Sequence, residues 1–148
     1  YFPNAKISVL SNSTFLAREK VVKALAKVDN PIMKLDTVNA DYIKRIDRPN
    51  AKYDVKGVIE KLKNMTVRPI IQTMFMKGEF EGQSVDNTTD EFVDPWIDVL
   101  EEIKPREVMI YTLDRDTPAA GLKKADKESL CKIRDKLERR GYRVMVSV

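Results

Sequence analysis

The sequence has no histidine and a single cysteine, Cys131, among its 148 residues. One thiol cannot by itself form an internal disulfide, a structural zinc site or an iron–sulfur cluster. Without histidine, the Ser-His-Asp and Cys-His arrangements of nucleophilic catalysis are excluded from this segment. Metal chemistry would therefore need ligands from outside it, and we expect Cys131 to pack as a small buried apolar residue.

Long hydrophobic runs and glycine-rich loops are also missing. No apolar stretch approaches the ~18–20 residues of a membrane span, and no signal-like segment precedes the first strand, so we expect a cytoplasmic protein without a membrane partner. Neither GxGxxG nor GxxxxGK follows any strand, which removes the usual fingerprint of nucleotide-binding sheets. The 27 basic and 23 acidic residues leave a formal charge of +4, which gives only a weak attraction for phosphates.

What is present is one strand-then-helix unit, used repeatedly. Five short apolar runs alternate with segments of helical period, at residues 6–11, 32–36, 68–75, 107–113 and 143–148. Their spacing is typical of βαβ units, so the strands should be parallel and, being almost continuously apolar, covered on both faces. With 43% hydrophobic residues the chain can bury one core, which predicts a single domain over residues 1–148.

Apolar stripes at helical spacing predict the helices between these strands. One lies in residues 54–64, another in residues 92–103 with Pro95 near its first turn, and residues 40–48 form a short helix. Two architectures accept this order, an open doubly wound sheet and part of a (β/α) barrel. The chain opens at Tyr1 without an initiator methionine, and nothing before the first unit begins a barrel, so we expect N-terminal strands elsewhere in a longer protein.

Polar side chains follow the strands at the ends where a barrel carries its chemistry. They are Asn12 and Ser13 on the first strand, Lys34 and Asp36 on the second, Gln72 and Thr73 on the third, and Tyr111, Asp114 and Arg115 on the fourth. Lys34 and Asp36 share one face of their strand, and because a buried ion pair adds little stability, such a pair more often serves a ligand. A helix cap after the first strand and a structural ion pair on the second are the alternatives. Binding of a polar organic ligand would explain the polar side chains at the ends of all four strands.

At these residues the chain resembles the radical S-adenosylmethionine superfamily over essentially its whole length. The matching stretches are Val9-Leu10-Ser11-Asn12-Ser13, Met33-Lys34-Leu35-Asp36, Ile46-Asp47-Arg48-Pro49, Ile71-Gln72-Thr73-Met74-Phe75 and the segment from Pro105 to Arg115. Together they are similar to the third to sixth strands of that family's partial (β/α)₆ barrel. The family's cysteine triplet and glycine-rich stretch, which follow its first two strands, do not occur in this sequence.

The resemblance implies an enzyme that uses S-adenosylmethionine and a [4Fe–4S] cluster for radical chemistry, with the protein holding and orienting the cofactor. It implies that Asn12, Ser13, Lys34 and Asp36 contact the ribose and amino-acid parts of S-adenosylmethionine, and that Gln72, Thr73 and Tyr111 line the same cavity. The cluster ligands would lie outside this segment, which would be inactive alone.

The subfamily that the chain resembles is the activating-enzyme or iron–sulfur oxidoreductase type. Its substrate would be a protein glycyl-radical site or a modified nucleotide, and the sequence leaves both open. Residues 77–89, rich in Gly, Asp and Asn, are the expected substrate loop.

Two other classes of protein remain open. One is a non-catalytic α/β ligand-binding domain, and the other is a structural or interaction domain whose polar strand ends bind nothing. In addition, an incomplete barrel exposes an unpaired edge at the first strand, which predicts pairing between chains or poor solubility.

Overall fold

Strands and helices alternate along the chain in the computed structural model, which describes residues 2–50, 53–115, 117 and 119–148. The strands are β1 (Ser8–Ser11), β2 (Asn30–Lys34), β3 (Ile70–Phe80), β4 (Gln83–Ser84), β5 (Glu107–Thr112), β6 (Leu122–Lys124) and β7 (Val144–Ser147). The helices are α1 (Glu19–Leu25), α2 (Ala40–Ile46), α3 (Val55–Lys63), α4 (Asp90–Ile103) and α5 (Lys127–Arg139). The five predicted strands are therefore β1, β2, β3, β5 and β7.

These five strands form one parallel sheet. Their spatial order is β1-β2-β3-β5-β7, and every neighbouring pair along this path is parallel. The predicted α/β class with parallel strands is confirmed. Because each strand is added beside the one before it in the chain, right-handed crossovers place the connecting helices on one face of the sheet.

Helices on one face correct the expectation that both faces would be covered. Side chains on the helix face, such as Ile71, Val108 and Ile110, are at most 1% exposed. On the opposite, concave face Leu10 is 64% exposed and Met145 is 48% exposed. Apolar side chains such as Leu10 and Met145 occur on this face as well because, in a barrel, inward-facing side chains pack against those of the other strands.

The second half of β3 leaves the parallel sheet and forms an antiparallel arm, defined here as residues 76–85. Its first residues pair with β6 and its last residues pair with β4. Residues 77–89 were expected to form a loop, and the structure corrects this. The reason is a second apolar cluster, in which Met76 and Val85 of the arm are buried with Tyr42 of α2.

Two local predictions also need correction. The N-cap of α4 is Thr89, which places Pro95 in the second turn rather than the first. Helix α4 continues past this proline because Trp96 and Leu100 are buried on its inner face. Cys131 is half-buried on α5 rather than fully buried.

The two edges of the parallel sheet are β1 and β7. Strand β1 is the edge at which unpaired backbone groups are expected, and self-association through this edge stays a prediction. In the part of the chain that the structure describes, no helix combines the length and the apolar character that crossing a bilayer demands.

Candidate functional site

A polar cavity lies at the edge of the sheet where β1 and β2 end. Its volume is about 230 Å³, and its walls come from the β1 and β2 exits, from α2 and from the segment after α2. The lining residues are Asn12, Thr14, Lys34, Leu35, Asp36, Thr37, Ile43, Asp47, Pro49 and Tyr53. The carboxyl ends of parallel strands are where barrel folds carry their chemistry, so this cavity is the candidate site.

The central feature of the cavity is an ion pair between Lys34 and Asp36. Lys34 Nζ lies 2.8 Å from Asp36 Oδ2, and the side chains are 33% and 8% exposed, respectively. Burial alone would lower the pKa of the Lys34 ammonium, but the adjacent Asp36 carboxylate outweighs it, so the pKa is raised above its usual value. Lys34 therefore carries a positive charge into the cavity at neutral pH.

The Asp36 carboxylate also has a structural contact. Its Oδ1 accepts a hydrogen bond of 2.8 Å from the backbone N–H of Met74 on the neighbouring strand. This bond continues the β2–β3 pairing after β2 has ended at Lys34. The Asp36 carboxylate thus stabilises the sheet through Oδ1 and pairs with Lys34 through Oδ2. A structural role for Asp36 is therefore compatible with a role of the ion pair in ligand binding.

Leu35 lies between Lys34 and Asp36 in the chain, and its side chain is buried. Because side chains alternate between the two faces of a strand, Lys34 and Asp36 both point to the opposite face from Leu35. Its backbone N–H donates to the Gln72 carbonyl oxygen at 3.0 Å. Its own carbonyl oxygen accepts from Thr73 Oγ1 at 2.8 Å and from Trp96 Nε1 at 3.1 Å. Because both backbone groups of Leu35 are hydrogen-bonded, Lys34 and Asp36 are held on the cavity side.

Two predicted site residues are instead engaged in the scaffold. Ser13 is 0% exposed, and its hydroxyl donates to the Lys34 carbonyl oxygen at 2.9 Å. Thr73 is 0% exposed and donates to the Leu35 carbonyl oxygen, on the helix side of the sheet. Both hydroxyls bind carbonyl oxygens at the β2 exit, and contact of these two residues with a ligand stays a prediction.

The remaining predicted residues divide between the cavity and the concave face. Asn12 lines the cavity and accepts a hydrogen bond from the Thr14 backbone N–H at 3.1 Å. Gln72 and Tyr111 lie outside the cavity wall, on the concave face that also carries Lys34, as the strand register shows. Burial raises the pKa of the Tyr111 hydroxyl, and the positive charge of Lys34 opposes that shift. These two residues therefore extend the polar surface beyond the cavity.

The predicted groups at the end of β5 are separate from the cavity. Asp114 and Arg115 are exposed, and Asp114 lies 4.0 Å from Lys124 Nζ of β6.

Sequence reasoning assigned no role to the residues that α2 and its following segment contribute. Asp47 and Tyr53 line the cavity, facing the ion pair of β2. Loss of hydration, followed by repulsion from Asp36, raises the pKa of the Asp47 carboxyl to about 6. Burial, and then the negative charge of Asp47, raises the pKa of Tyr53 to about 12. The available signal was the Ile46-Asp47-Arg48-Pro49 stretch, which carried the family resemblance.

Contacts between α2 and the arm fix this wall of the cavity. Arg45 donates to the Ser84 carbonyl oxygen at 2.8 Å and also contacts the side chain of Gln83. Arg48 pairs with Glu81, and its guanidinium lies 4.8 Å from the centre of the Phe80 ring. Since Asp47 lies between these two arginines in sequence, its position depends on the arm.

Replacing Asp47 by asparagine should change stability in a pH-dependent way. Between the usual carboxyl pKa of about 4 and the native value of about 6, the folded chain holds a proton that the unfolded chain has lost. The contribution of the Asp47 carboxyl to the free energy of unfolding therefore falls as pH rises through this range. Asp47→Asn should thus be more stable relative to the parent at pH 7.5 than at pH 4.5, as urea unfolding would measure.

A difference in stability between Asp47→Asn and the parent that is the same at both pH values would contradict the raised pKa. The effect will be moderate, because Asp47 keeps exposed surface.

Several solved structures share this fold, and one of them is a radical SAM enzyme. A radical SAM methyltransferase from Sphaerobacter thermophilus matches with a TM-score of 0.72 and 18% identity, over 95% of this chain and 40% of that chain. A domain of pyruvate-formate lyase-activating enzyme from Bacteroides vulgatus matches with a TM-score of 0.68 and 14% identity, over 96% of this chain and 82% of that chain. SuiB from Streptococcus suis, in a structure bound to S-adenosylmethionine, matches with a TM-score of 0.64 and 14% identity, over 96% of this chain and 32% of that chain.

Sequence comparison gives one weaker relationship. No known family profile matches the chain. The GTPase Obg of Brachyspira hyodysenteriae is 24% identical over 132 residues, which cover 89% of this chain and 19% of that protein. The chain therefore spans a fifth of this relative and two fifths of the methyltransferase.

These comparisons establish the fold. The chain has the architecture of the radical SAM partial barrel, with parallel strands inside and helices outside. The resemblance drawn from the sequence is confirmed at this level.

Proposed function

We propose that this chain is part of a radical SAM enzyme and that its polar cavity binds S-adenosylmethionine. The observation that carries the proposal is the Lys34–Asp36 ion pair, held toward the cavity at the carboxyl end of β2. The shared fold supports it, since one of the neighbours with this fold has been solved with S-adenosylmethionine bound. Function resides in the site rather than in the fold, so the site residues are the part to test.

Each charged group of the cavity matches a part of this ligand. The Lys34 ammonium has three donors, and those not used by Asp36 are available to a carboxylate. Asp47 offers acceptors to an ammonium or to ribose hydroxyls, and Asn12 offers an amide to the same groups. At about 230 Å³ the cavity is smaller than the roughly 300–1,000 Å³ of pockets that enclose a whole ligand, so it would hold one part of the molecule. Bound S-adenosylmethionine would supply radical chemistry after reductive cleavage by one electron from a [4Fe–4S] cluster held elsewhere in the protein.

The residues of this chain do not fit a [4Fe–4S] cluster. Such clusters need several cysteine thiolates, and the sequence has only Cys131, which lies half-buried on α5. Within the described ranges no group of three potential metal ligands occurs. On this proposal the cluster ligands belong to another part of the protein, and the chain alone would bind S-adenosylmethionine without cleaving it.

Removing both members of the ion pair tests the proposal. Lys34→Ala combined with Asp36→Ala should weaken the affinity for S-adenosylmethionine at least about tenfold, because a hydrogen bond to a charged group contributes roughly 1.5–3 kcal/mol. The double substitution avoids leaving a single buried charge without its partner. Calorimetric titration of the intact protein would measure the change, and circular dichroism would show whether the fold is retained.

A matched control comes from a surface ion pair. Lys132→Ala with Glu128→Ala removes a lysine and an acidic residue from the exposed face of α5, where the nitrogen and oxygen are 2.7 Å apart. This variant should bind S-adenosylmethionine as the parent does. Equal affinity of the cavity variant and the control variant would remove Lys34 and Asp36 from the site.

The second candidate function is a ligand-binding domain without catalysis. The single cysteine favours it, because radical SAM chemistry requires a cluster that this chain cannot ligate. Reductive cleavage of S-adenosylmethionine by the intact protein would decide for the enzyme, and binding without cleavage would decide for the alternative. If the protein is an enzyme, we propose the activating-enzyme or iron–sulfur oxidoreductase type, acting in the cytoplasm on a protein glycyl-radical site or a modified nucleotide.

A further inference from the structure

Positive charge is concentrated at the end of the sheet opposite to the cavity. An open depression of about 340 Å³ lies where the strands begin. Its walls carry Arg68, Lys104, Arg106, Arg140 and Arg143, together with the ring of Tyr142. Neither the family resemblance nor the proposed cofactor site gives these residues a role.

Strand topology explains why three of the arginines come together. Arg68, Arg106 and Arg143 precede β3, β5 and β7, which are neighbours in the sheet. Parallel strands begin at the same edge, and adjacent strands are about 4.8 Å apart. The α-carbons of the three residues therefore form a row about 10 Å long.

Backbone contacts hold two of these guanidinium groups in place. Arg68 Nε donates to the Lys104 carbonyl oxygen at 2.8 Å. Arg106 donates through a terminal nitrogen to the Asp29 carbonyl oxygen, also at 2.8 Å. Each guanidinium has further N–H groups, so part of the group is anchored while the rest can bind a ligand. Anchoring of this kind lowers the conformational entropy that binding would cost.

The positive charge of the depression is only partly balanced. Arg140 pairs with Glu101, and Arg143 Nε lies 3.5 Å from Glu107 Oε2. For Arg68, Lys104 and Arg106, no ion pair occurs with any residue in the described ranges.

The favourable interaction of cations with helix C-termini explains the presence of two of the five cations in the depression. Lys104 and Arg140 are the C-caps of α4 and α5, where cations are favourable. This explanation does not extend to Arg68, Arg106 and Arg143, which lie just before strands.

We propose that this depression binds the phosphodiester backbone of single-stranded nucleic acid. A row of arginines suits a chain of phosphates, because the planar guanidinium binds phosphate oxygens in a bidentate manner. Four of the five cations are arginines, and the half-buried Tyr142 offers a ring on which a base can stack. The site is at the opposite end of the sheet from the cavity, so it does not depend on S-adenosylmethionine binding.

Fluorescence anisotropy with a labelled single-stranded RNA tests this proposal on the intact protein. Arg68→Gln with Lys104→Gln removes two cations that have no carboxylate partner among the described residues. Affinity should fall about tenfold at moderate salt, and the slope of log affinity against log salt should become about 1.4 smaller in magnitude, since each phosphate contact contributes about 0.7. Arg106 is left unchanged because of its contact with Asp29.

The matched control removes the same charge elsewhere. Lys56→Gln with Lys61→Gln alters the exposed face of α3 and should leave the affinity within about twofold of the parent. Equal losses in the two variants would overturn the proposal, because attraction by net charge alone would then explain binding. A polyglutamate peptide of equal length that binds tighter than RNA would also overturn it, and would identify the partner as an acidic protein segment.

Discussion

Replacing Trp96 by alanine should lower the free energy of unfolding by about 3–5 kcal/mol, a large share of the total stability of a domain of this size. The indole is 1% exposed, and its ring meets that of Phe75 edge-to-face with centroids 5.5 Å apart. Its Nε1–H is one of the two donors to the Leu35 carbonyl oxygen. The loss therefore combines a cavity in the core with a missing hydrogen bond, as urea unfolding would show.

Trp96→Phe separates these two contributions. The phenyl ring keeps most of the packing but cannot donate to Leu35, whose carbonyl oxygen still accepts from Thr73. The expected loss is about 1–2 kcal/mol. If Trp96→Ala were no more costly than Trp96→Phe, the packing of the indole would not be the main source of stability.

Replacing Gly78 by alanine should cost about 2–4 kcal/mol, the second large effect. Gly78 has a φ angle of +101°, where a side chain is strained, and an added Cβ would lie 2.1 Å from the Gly121 carbonyl oxygen. That oxygen belongs to the backbone and cannot turn away. The arm would have to separate from β6, and both urea unfolding and hydrogen exchange in residues 76–80 would report the change.

Gly82→Ala is the matched control for this prediction. Gly82 also has a positive φ, at +72°, but an added Cβ would meet no atom within 4 Å. Its cost should be about 1–2 kcal/mol, from backbone strain alone. Equal costs at Gly78 and Gly82 would mean that the arm accommodates the methyl group, contrary to the close approach of the two backbones.

The sequence predicts the parallel sheet well because its evidence is local. Each of the five strands is a short apolar run, and the helical segments between them enforce parallel pairing. The arm was missed because its strand character comes from distant partners. Residues 76–78 pair with β6, more than forty residues further along the chain, and their own sequence contains a glycine and a lysine. Cover on both faces was wrongly predicted because runs such as Val108-Met109-Ile110 put apolar side chains on both faces of a strand, whether or not helices cover the inner face.

The candidate site was predictable where alternation along a strand decides the geometry. Lys34 and Asp36 could be assigned to one face because they are two residues apart near the end of a strand. The hydrogen bonds of Ser13 and Thr73 could not be predicted, since their acceptors are carbonyl oxygens of a neighbouring strand exit. Asp47 was missed because it follows a helix, and only tertiary packing brings that helix end to the cavity.

The contacts of Arg45 and Arg48 with the arm connect α2 to the arm, so that a displacement of one is expected to displace the other. Arg45 and Arg48 bind residues at and beside the hairpin turn of the arm. The Tyr42 hydroxyl, in the apolar cluster with Met76 and Val85, donates to the Val85 carbonyl oxygen at 3.0 Å. A protein or ligand that pushes on the exposed turn would therefore move Asp47 along with it. The negative charge at the mouth of the cavity would then shift relative to Lys34, so a contact at the protein surface can change the electrostatics of the cavity.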